Sequence, residues 1–253
     1  MDASTQKQLN AINRDFYARQ ATEFAQTRDH PWPGWERSWE HVPRADRFRV
    51  LDVGCGSGRY AAFLAGRVSL TSIDYIGLDA SAPLLERAKN AAAGFSSATF
   101  RRVDWVEEVP ETCLPRGPFE LVALLGVLHH VPGHAQRRAL LRVLVERLAP
   151  EGVLILTAWR FGAPEIRARF EERIVPWEEW KRSSGSTLDL GQLEPGDFLL
   201  RWGTGNDLVR YCHFTDEEEM ATLLPDLPAH RVDEFREDGR SGDLNHYLIL
   251  RAG

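Results

Sequence analysis

The sequence predicts an α/β fold in which helices cover both faces of a mostly parallel sheet. Between residues 48 and 158, short apolar runs typical of buried strands alternate with helical segments. Such alternation produces parallel strands joined by helices that cross over the sheet. A turn with three glycines, residues 54–58, connects the first strand to the next helix. We therefore expect one Rossmann-like domain over residues 1–253, with a doubly wound, mostly parallel, seven-stranded sheet.

The composition is that of a globular chain with net negative charge. Hydrophobic residues make up 43% of the 253 positions, and the formal net charge is -6. This charge argues against indiscriminate nucleic-acid binding but leaves room for a local basic surface. We expect no membrane span, because every charge-free apolar run is too short to cross a bilayer.

Cysteine content and the start of the chain both bear on location. The three cysteines at positions 55, 113 and 212 are widely spaced, so they indicate neither a disulfide framework nor a metal site. Residues 1–8 are polar and lack the apolar stretch of a secretory leader. Both observations favour a cytoplasmic protein.

Residues 1–47 form an N-terminal extension that precedes the first core strand. A helix is expected over residues 10–24, where apolar side chains recur at mostly helical spacing: Ile12, Phe16, Tyr17 and Phe24. Residues 30–35 combine two prolines, a glycine and two tryptophans, a composition that predicts an ordered aromatic loop.

The cofactor-binding core is expected over residues 48–158. Its predicted elements are strand 48–53, helix 58–66, strand 72–78, helix 82–93, strand 98–103, strand 119–125, helix 134–148 and strand 152–158.

The remainder of the chain interrupts and then completes this pattern. Residues 159–213 are expected to form a tryptophan-rich cap insertion, with a short helical run over residues 164–174. Residues 214–253 then supply the last helix, for which Thr215 is the predicted N-cap, and two closing strands near 231–236 and 245–251.

The glycine turn has the spacing G-x-G-x-G at positions 54, 56 and 58. A dinucleotide fingerprint would place its third glycine at position 59, which is Arg59, and no Gly-Lys-Ser/Thr ending follows. Glycines at these positions let the backbone approach a bulky ligand. The start of the next helix favours a negative group such as an amino-acid carboxylate.

Two aspartates follow the next two predicted strands. Asp79 lies about 20 residues beyond the glycine turn, where a carboxylate can accept both hydroxyls of an adenosine ribose. Asp104 follows the third strand and could accept a hydrogen bond from an adenine amino group. Three strand ends therefore point to one adenosyl ligand.

From about residue 48 to 158 the chain resembles the class I S-adenosylmethionine-dependent methyltransferases. The resemblance rests on Asp52 before the glycine turn, Asp79 closing the second strand, and Val103-Asp104-Trp105 closing the third. It implies the class I methyltransferase fold with S-adenosyl-L-methionine as cofactor. The implied cofactor-binding residues are Asp52, Gly54, Cys55, Gly56, Gly58, Asp79, Ala80, Asp104, Trp105, Leu125 and Val127.

The loop after the fourth strand carries two adjacent histidines, His129 and His130. Ligands of a doubly wound sheet lie beyond the carboxyl ends of its strands, so this loop should face the transferred methyl group. Either histidine could bind substrate, act as a base or cap the following helix.

The flanking segments resemble the tRNA methyltransferases that esterify 5-carboxymethyluridine at the wobble position. That family carries a "TR" segment, an "I-H-H" loop and an "R-Y-Y-H" segment around the modified base. Here the third segment has Cys212 in place of the second aromatic residue, and a "D-x-L-V-P-W" segment matches residues 197–202 only loosely. The resemblance assigns substrate contact to Tyr17, Thr27, Arg28, Arg210, Tyr211 and His213, and catalytic roles to His129, His130 and Arg28. It also implies tRNA and a small activating subunit as partners.

Methyl transfer from a sulfonium needs alignment of the acceptor and exclusion of water, and it requires no metal. A carboxylate acceptor is already ionised at pH 7, whereas a hydroxyl acceptor needs a base such as a histidine. The first hypothesis is therefore methylation of a tRNA wobble uridine side-chain carboxylate. The alternatives are a small-molecule carboxyl or hydroxyl methyltransferase, and a non-catalytic cofactor-binding partner subunit.

Overall fold

The computed structural model describes residues 1–26, 30–69, 71–203 and 208–253. Thr27 and Arg28, two of the predicted substrate-binding residues, lie outside this part of the chain. Within it, the longest helices lack the uninterrupted apolar length that a bilayer crossing needs.

The domain is built on a seven-stranded sheet with the order β3-β2-β1-β4-β5-β10-β9. β1 to β5 pair in parallel, whereas β10 pairs antiparallel with both β5 and β9. Its strands are β1 (Phe48–Val53), β2 (Ile73–Asp79), β3 (Ser97–Arg102), β4 (Phe119–Leu124), β5 (Leu148–Trp159), β9 (Ala229–Glu237) and β10 (Asn245–Ala252). The predicted α/β class and the sheet are confirmed.

Helices lie on both faces of the sheet and bury two separate apolar clusters. One cluster contains Leu140 and Leu144 of α6 with Met220 of α8, and the other contains Trp35 of α2 and Phe63 of α3. The helices are α1 (Ala3–Gln26), α2 (Pro33–Trp39), α3 (Arg59–Ala65), α4 (Ala82–Ala91), α5 (Pro110–Cys113), α6 (His134–Val145), α7 (Trp177–Ser184) and α8 (Glu217–Leu223).

Two local predictions were wrong. The expected aromatic loop at residues 30–35 instead leads into α2, because Pro33 takes the first helical position, where its missing N–H costs nothing. The last helix is capped by Asp216 rather than Thr215, since the Asp216 carboxylate accepts a hydrogen bond from the Glu219 N–H.

The insertion forms a second, antiparallel sheet that the sequence did not predict. Its strands are β6 (Ile174–Val175), β7 (Asp197–Arg201) and β8 (Val209–His213), in that order across the sheet. The expected helix over residues 164–174 is replaced by two short 3-10 turns. Leu199 of β7 and Tyr211 of β8 pack against Leu9 of α1, so the small sheet holds the N-terminal helix beside the main domain.

Candidate active site

All three glycines of the turn after β1 have positive φ angles, but their surroundings differ. Gly54, Gly56 and Gly58 have φ angles of 79°, 55° and 83°. A Cβ at Gly54 would lie 2.2 Å from Val127 Cγ2, and one at Gly58 would lie 2.8 Å from Ala88 Cα. A Cβ at Gly56 would meet no atom within 4 Å. Gly54 and Gly58 therefore serve close packing, whereas Gly56 borders open space.

Two aspartates beside this turn, Asp52 (buried) and Asp79 (half-buried), carry raised pKa values. Burial raises the pKa of Asp52 to about 7, although the Tyr75 hydroxyl donates a hydrogen bond that opposes the rise. Burial likewise raises the pKa of Asp79 to about 6, against the hydrogen bonds it accepts from the Gly56 N–H at 2.9 Å and the Ser81 N–H at 2.8 Å. A carboxylate has about four acceptor positions, so Asp79 can accept further donors.

Asp104 at the end of β3 is hydrogen-bonded to the N-terminal helix. The Asn10 carboxamide donates to both carboxylate oxygens at 3.0 and 2.9 Å, and the Arg14 guanidinium lies 3.7 Å from Oδ2. The sequence predicted an adenine contact for Asp104 but gave no indication of this pairing. Helix α1 is thereby fixed across one side of the strand ends.

These elements enclose a cavity of about 660 Å³, a volume typical of small-molecule sites. Ten of the eleven residues predicted to bind cofactor line it: Asp52, Gly54, Cys55, Gly56, Asp79, Ala80, Asp104, Trp105, Leu125 and Val127. The eleventh, Gly58, is absent from the lining because it packs against α4.

His130 lines the same cavity, and both of its ring nitrogens are already hydrogen-bonded. Nδ1 lies 3.0 Å from the Tyr211 carbonyl oxygen, which can only accept, so Nδ1 carries the proton. In the neutral ring Nε2 is then an acceptor, and the Tyr17 hydroxyl donates to it at 2.8 Å. His130 is therefore a poor direct base, because no nitrogen is left for the substrate.

His129 does not line the cavity, contrary to its predicted catalytic role. It is 6% exposed, and its ring packs behind His130 at 4.1 Å and against Trp159 at 5.2 Å between centroids. The 3-10 turn over Leu128–His130 directs only the second histidine toward the cavity.

Arg210 of β8 is buried among aromatic rings rather than paired with an acid. Its guanidinium lies 4.9 Å from the Trp159 ring centroid, 5.1 Å from that of Trp202 and 5.6 Å from that of Phe16. The side chain is 4% exposed, and within the described ranges it has neither an ion pair nor a hydrogen-bond acceptor. Arg210 is not among the residues that line the cavity, although its neighbour Phe16 directly precedes the cavity-lining Tyr17 on α1.

Tyr211 and His213 face the other side of β8 and are buried in a network of charged groups, which contradicts their predicted contact with substrate. The Tyr211 hydroxyl donates to Asp197 at 2.6 Å, and His213 lies between Asp197 at 2.7 Å and Glu219 at 2.6 Å. Burial lowers the pKa of His213, but these two hydrogen bonds raise it above its usual value. The fully buried Arg137 completes the network by pairing with Glu219 at 2.5 Å.

Sequence analysis missed most of the cavity wall contributed by α1. Five polar residues of this helix line the cavity: Asp15, and four that lie three or four positions apart, Asn10, Asn13, Arg14 and Tyr17. Residues at this spacing share one face of a helix. Of these residues, only Tyr17 was predicted to contact substrate, because the expected helix was placed by the spacing of its apolar residues.

Residues 51–154 match the family model of the methyltransferase domain. This match runs from β1 into β5 and includes the glycine turn, both strand-end aspartates and the two adjacent histidines. The seven-stranded sheet is the fold of the class I methyltransferases, and the matched methyltransferase domain supports an enzyme.

Relatives with assigned substrates fall into two groups. The chain is 35% identical over 158 residues to the trans-aconitate 2-methyltransferase of Streptomyces coelicolor, a match that covers 61% of this chain but only 49% of that protein. It is 27% identical to the enzyme of the same name from Methylobacterium nodulans, covering 89% and 93% of the two chains. It is 25% identical to the tRNA (carboxymethyluridine(34)-5-O)-methyltransferase of Schizosaccharomyces pombe, covering 85% and 87%.

Solved structures of methyltransferases share the fold. A S-adenosylmethionine-dependent methyltransferase from Methanosarcina mazei matches with a TM-score of 0.60 at 18% identity, covering 88% of this chain and 98% of that one. The 1,6-didemethyltoxoflavin-N1-methyltransferase of Burkholderia thailandensis matches with a TM-score of 0.64 at 17% identity, covering 98% and 90%. The predicted fold class is thereby confirmed, and the predicted wobble-uridine family stays a prediction.

Proposed function

We propose that this chain is a S-adenosylmethionine-dependent methyltransferase whose acceptor is a carboxylate oxygen. The proposal joins the methyltransferase domain to two features of the structure. One is the set of acidic groups at the strand ends, and the other is the buried guanidinium of Arg210, which packs against Phe16 of the cavity-covering helix α1.

The strand-end residues fit the cofactor in charge and in shape. S-adenosylmethionine carries a sulfonium and an ammonium group, and such cations stabilise the ionised forms of Asp52 and Asp79. Gly56 leaves open the space that any side chain would fill, and two acceptor positions on Asp79 remain for ribose hydroxyls. When bound, the cofactor supplies an electrophilic methyl group.

The observation that carries the acceptor class is the buried side chain of Arg210. An arginine keeps its charge at all ordinary pH values and offers five N–H donors. The three neighbouring rings attract the cation but accept none of its hydrogen bonds in plane, and burial leaves the Nε–H group without an acceptor among the described residues. A carboxylate matches both the charge and the planar geometry of the guanidinium.

The state of His130 also favours a carboxylate. A carboxylate nucleophile is ionised at pH 7, so methylation needs no base, only groups that orient the acceptor. His130 and Tyr17 are hydrogen-bonded to one another and are placed to do this. A hydroxyl acceptor would instead need a free basic nitrogen, and both nitrogens of His130 are in use.

A small organic acid is the first candidate for the acceptor. Helix α1 covers one side of the cavity, and the guanidinium of Arg210 is nearly enclosed, so both favour an acceptor that fits inside. The trans-aconitate relatives act, by their names, on a small polycarboxylate.

The wobble-uridine carboxylate is the second candidate, because two segments of the predicted tRNA resemblance meet in space. Asp197 of the loose "D-x-L-V-P-W" match pairs in register with His213 of the "R-Y-C-H" segment. The Schizosaccharomyces pombe relative covers most of both chains. A small activating subunit would then be the expected partner.

The test is a transfer assay with labelled S-adenosylmethionine against a panel of di- and tricarboxylates, hydroxyl compounds and amines. We expect methyl ester formation on a carboxylate. Arg210→Lys should raise the acceptor KM about tenfold while leaving cofactor affinity unchanged, because lysine keeps the charge but loses the planar fork. The control is Arg231→Lys on the exposed side of β9. Transfer only to hydroxyl or amine acceptors would overturn the proposal.

The two sources of carboxylate are separated by mass spectrometry of nucleosides from cells with and without the gene. Disappearance of a methyl ester on the wobble uridine would assign the enzyme to tRNA. Unchanged nucleosides together with activity on a small acid would assign it to metabolism.

A further inference from the structure

The side chain of Asn13 is a buried polar group in the cavity that the cofactor residues leave unexplained. It lies on the polar face of α1, one turn from both Asn10 and Tyr17, and is 5% exposed. One end of its carboxamide lies 3.3 Å from His130 Nδ1. The other end is buried, and none of the residues in the described ranges offers it a hydrogen bond. A buried amide atom without a partner is costly unless a ligand provides one.

The hydrogen bonds of His130 determine the orientation of the Asn13 amide, that is, whether its oxygen or its nitrogen lies beside the ring. The Tyr211 carbonyl requires a proton on Nδ1, so this nitrogen is a donor. An N–H donor cannot bond the NH₂ group of Asn13, whereas it can bond the amide oxygen. Orientation of a carboxamide follows from such a network, and half a turn about the Cβ–Cγ bond exchanges its oxygen and nitrogen. The Asn13 oxygen therefore belongs beside His130, and the NH₂ group is the buried end that has no partner among the described residues.

We propose that the Asn13 NH₂ group binds the acceptor carboxylate and determines the selectivity of the enzyme for an anionic acceptor. The inference rests on the proposed carboxylate acceptor. Asn13, Tyr17 and His130 all line the cavity, and the Asn13 and Tyr17 side chains both contact the His130 ring. An amide donates to a carboxylate without neutralising it, so the nucleophile keeps its charge for attack on the methyl carbon.

The arrangement divides the cavity between the two reactants. Asp52 and Asp79 line the cavity at the strand ends, whereas Asn13 and Tyr17 line it from α1 and carry the donors proposed to bind the anionic acceptor. Replacing the NH₂ group by a carboxylate oxygen would place two negative charges at hydrogen-bonding distance. Because asparagine and aspartate have nearly the same size, Asn13 would select acceptors by their charge and not by their size.

The experiment compares Asn13→Asp, Asn13→Ala and the control Asn90→Asp, which makes the same charge change on the exposed end of α4. The acceptor is the carboxylate with the highest kcat/KM in the transfer panel. Two quantities are measured separately: the acceptor KM, and the Kd of S-adenosylmethionine by calorimetry. We expect Asn13→Ala to raise the acceptor KM about tenfold and Asn13→Asp about 100-fold or more, with cofactor Kd within about threefold of wild type.

The possible failures are distinguishable. An Asn13→Asp enzyme with wild-type acceptor KM, or with a changed cofactor Kd as its main defect, would overturn the inference while leaving carboxylate methylation intact. A wild-type enzyme that methylates no carboxylate in the panel would overturn the proposed function and this contact together. A variant that fails to fold would fail to bind cofactor as well, and Asn13→Gln, which keeps the NH₂ group, then serves as the replacement and should recover part of the acceptor affinity.

Discussion

The cavity and the ionic network of the insertion both contain buried polar groups. They differ in whether these groups have hydrogen-bond or charge partners within the protein. In the network, His213 lies between Asp197 and Glu219, and Arg137 pairs with Glu194 and Glu219 at 2.6 and 2.5 Å. Each charge therefore has an opposite charge at hydrogen-bonding distance. Such a network is complete without a ligand and joins the insertion to α6 and α8.

The cavity, by contrast, is incomplete. Asp52 is buried and Asp79 half-buried, both with raised pKa values, and Asn13 and Arg210 have polar atoms that the described residues do not satisfy. Natural proteins place unsatisfied groups and perturbed pKa values mainly where a ligand completes them. The comparison thus separates polar groups that stabilise the fold from polar groups whose partners would come from a bound cofactor or acceptor. The following predictions test this difference between the cavity and the ionic network, in decreasing order of effect on cofactor affinity.

The largest effect is expected from Gly56→Val. The new side chain would fill the space beside the strand ends, so calorimetry should detect no binding of S-adenosylmethionine. The matched control is Gly185→Val at the end of α7, which has a similar φ of 66° and equally open surroundings. Both variants should lose similar stability from backbone strain, about 1 kcal/mol. Normal cofactor binding by Gly56→Val would show that the open space is not part of the binding site.

Asp79→Ala should weaken cofactor affinity by tens of fold. Losing a charged acceptor costs about 2 kcal/mol or more of binding free energy. The measurement is again calorimetry, with circular dichroism to verify that the variant is folded. Unchanged affinity would remove the second strand end from the cofactor site.

Cofactor affinity should rise about tenfold between pH 5.5 and pH 8. The pKa values of Asp52 and Asp79, about 7 and 6, lie above the ordinary value of about 3.9, so both groups ionise within this range and then attract a cationic ligand. For the free protein the sign is opposite, because raised pKa values contribute stability at low pH that is lost as pH rises through 6 to 7. Thermal stabilisation by S-adenosylmethionine should therefore be larger at pH 8. Asp52→Asn should flatten the profile; a profile that stays equally steep would contradict the assignment.

Glu219→Gln should leave cofactor affinity unchanged and lower the free energy of unfolding by about 2 kcal/mol. It removes the charge that stabilises protonated His213 and buried Arg137. Glu217→Gln on the same helix is the control, because its side chain is largely exposed. Chemical denaturation measures both variants. A loss of cofactor affinity in Glu219→Gln would show that the two regions are not independent.

The main sheet could be predicted from the sequence because its strands are continuous apolar runs. β1 and β4, for example, are buried along almost their whole length, and their predicted and observed limits agree closely. The second sheet could not be predicted in this way. Its strands are two to five residues long and pair across gaps in sequence, so no periodic signal marks them.

Site residues could be predicted from the sequence where their role follows from the order of strands, turns and helices. They could not be predicted where their role depends on the direction of a side chain. The glycine turn and Asp79 follow from the strand-turn-helix order. By contrast, alternate residues of β8 face opposite sides, so Arg210 lies near the cavity wall while Tyr211 and His213 enter the ionic network. A sequence motif alone cannot assign these faces. Asn13 was missed because its importance arises from the tautomer of a histidine 117 positions away.

The polar face of α1 has a consequence for how enzymes of this architecture diversify. The residues proposed to select the acceptor, Asn13 and Arg210, lie outside the stretch 51–154 that matches the methyltransferase domain. Substitutions on α1 at intervals of three or four residues can therefore exchange donors for acceptors or charges without disturbing a single strand of the main sheet. Acceptor preference is thus open to change through a few substitutions on α1. We expect a small library at positions 13 and 17 to yield altered acceptors with cofactor affinity retained.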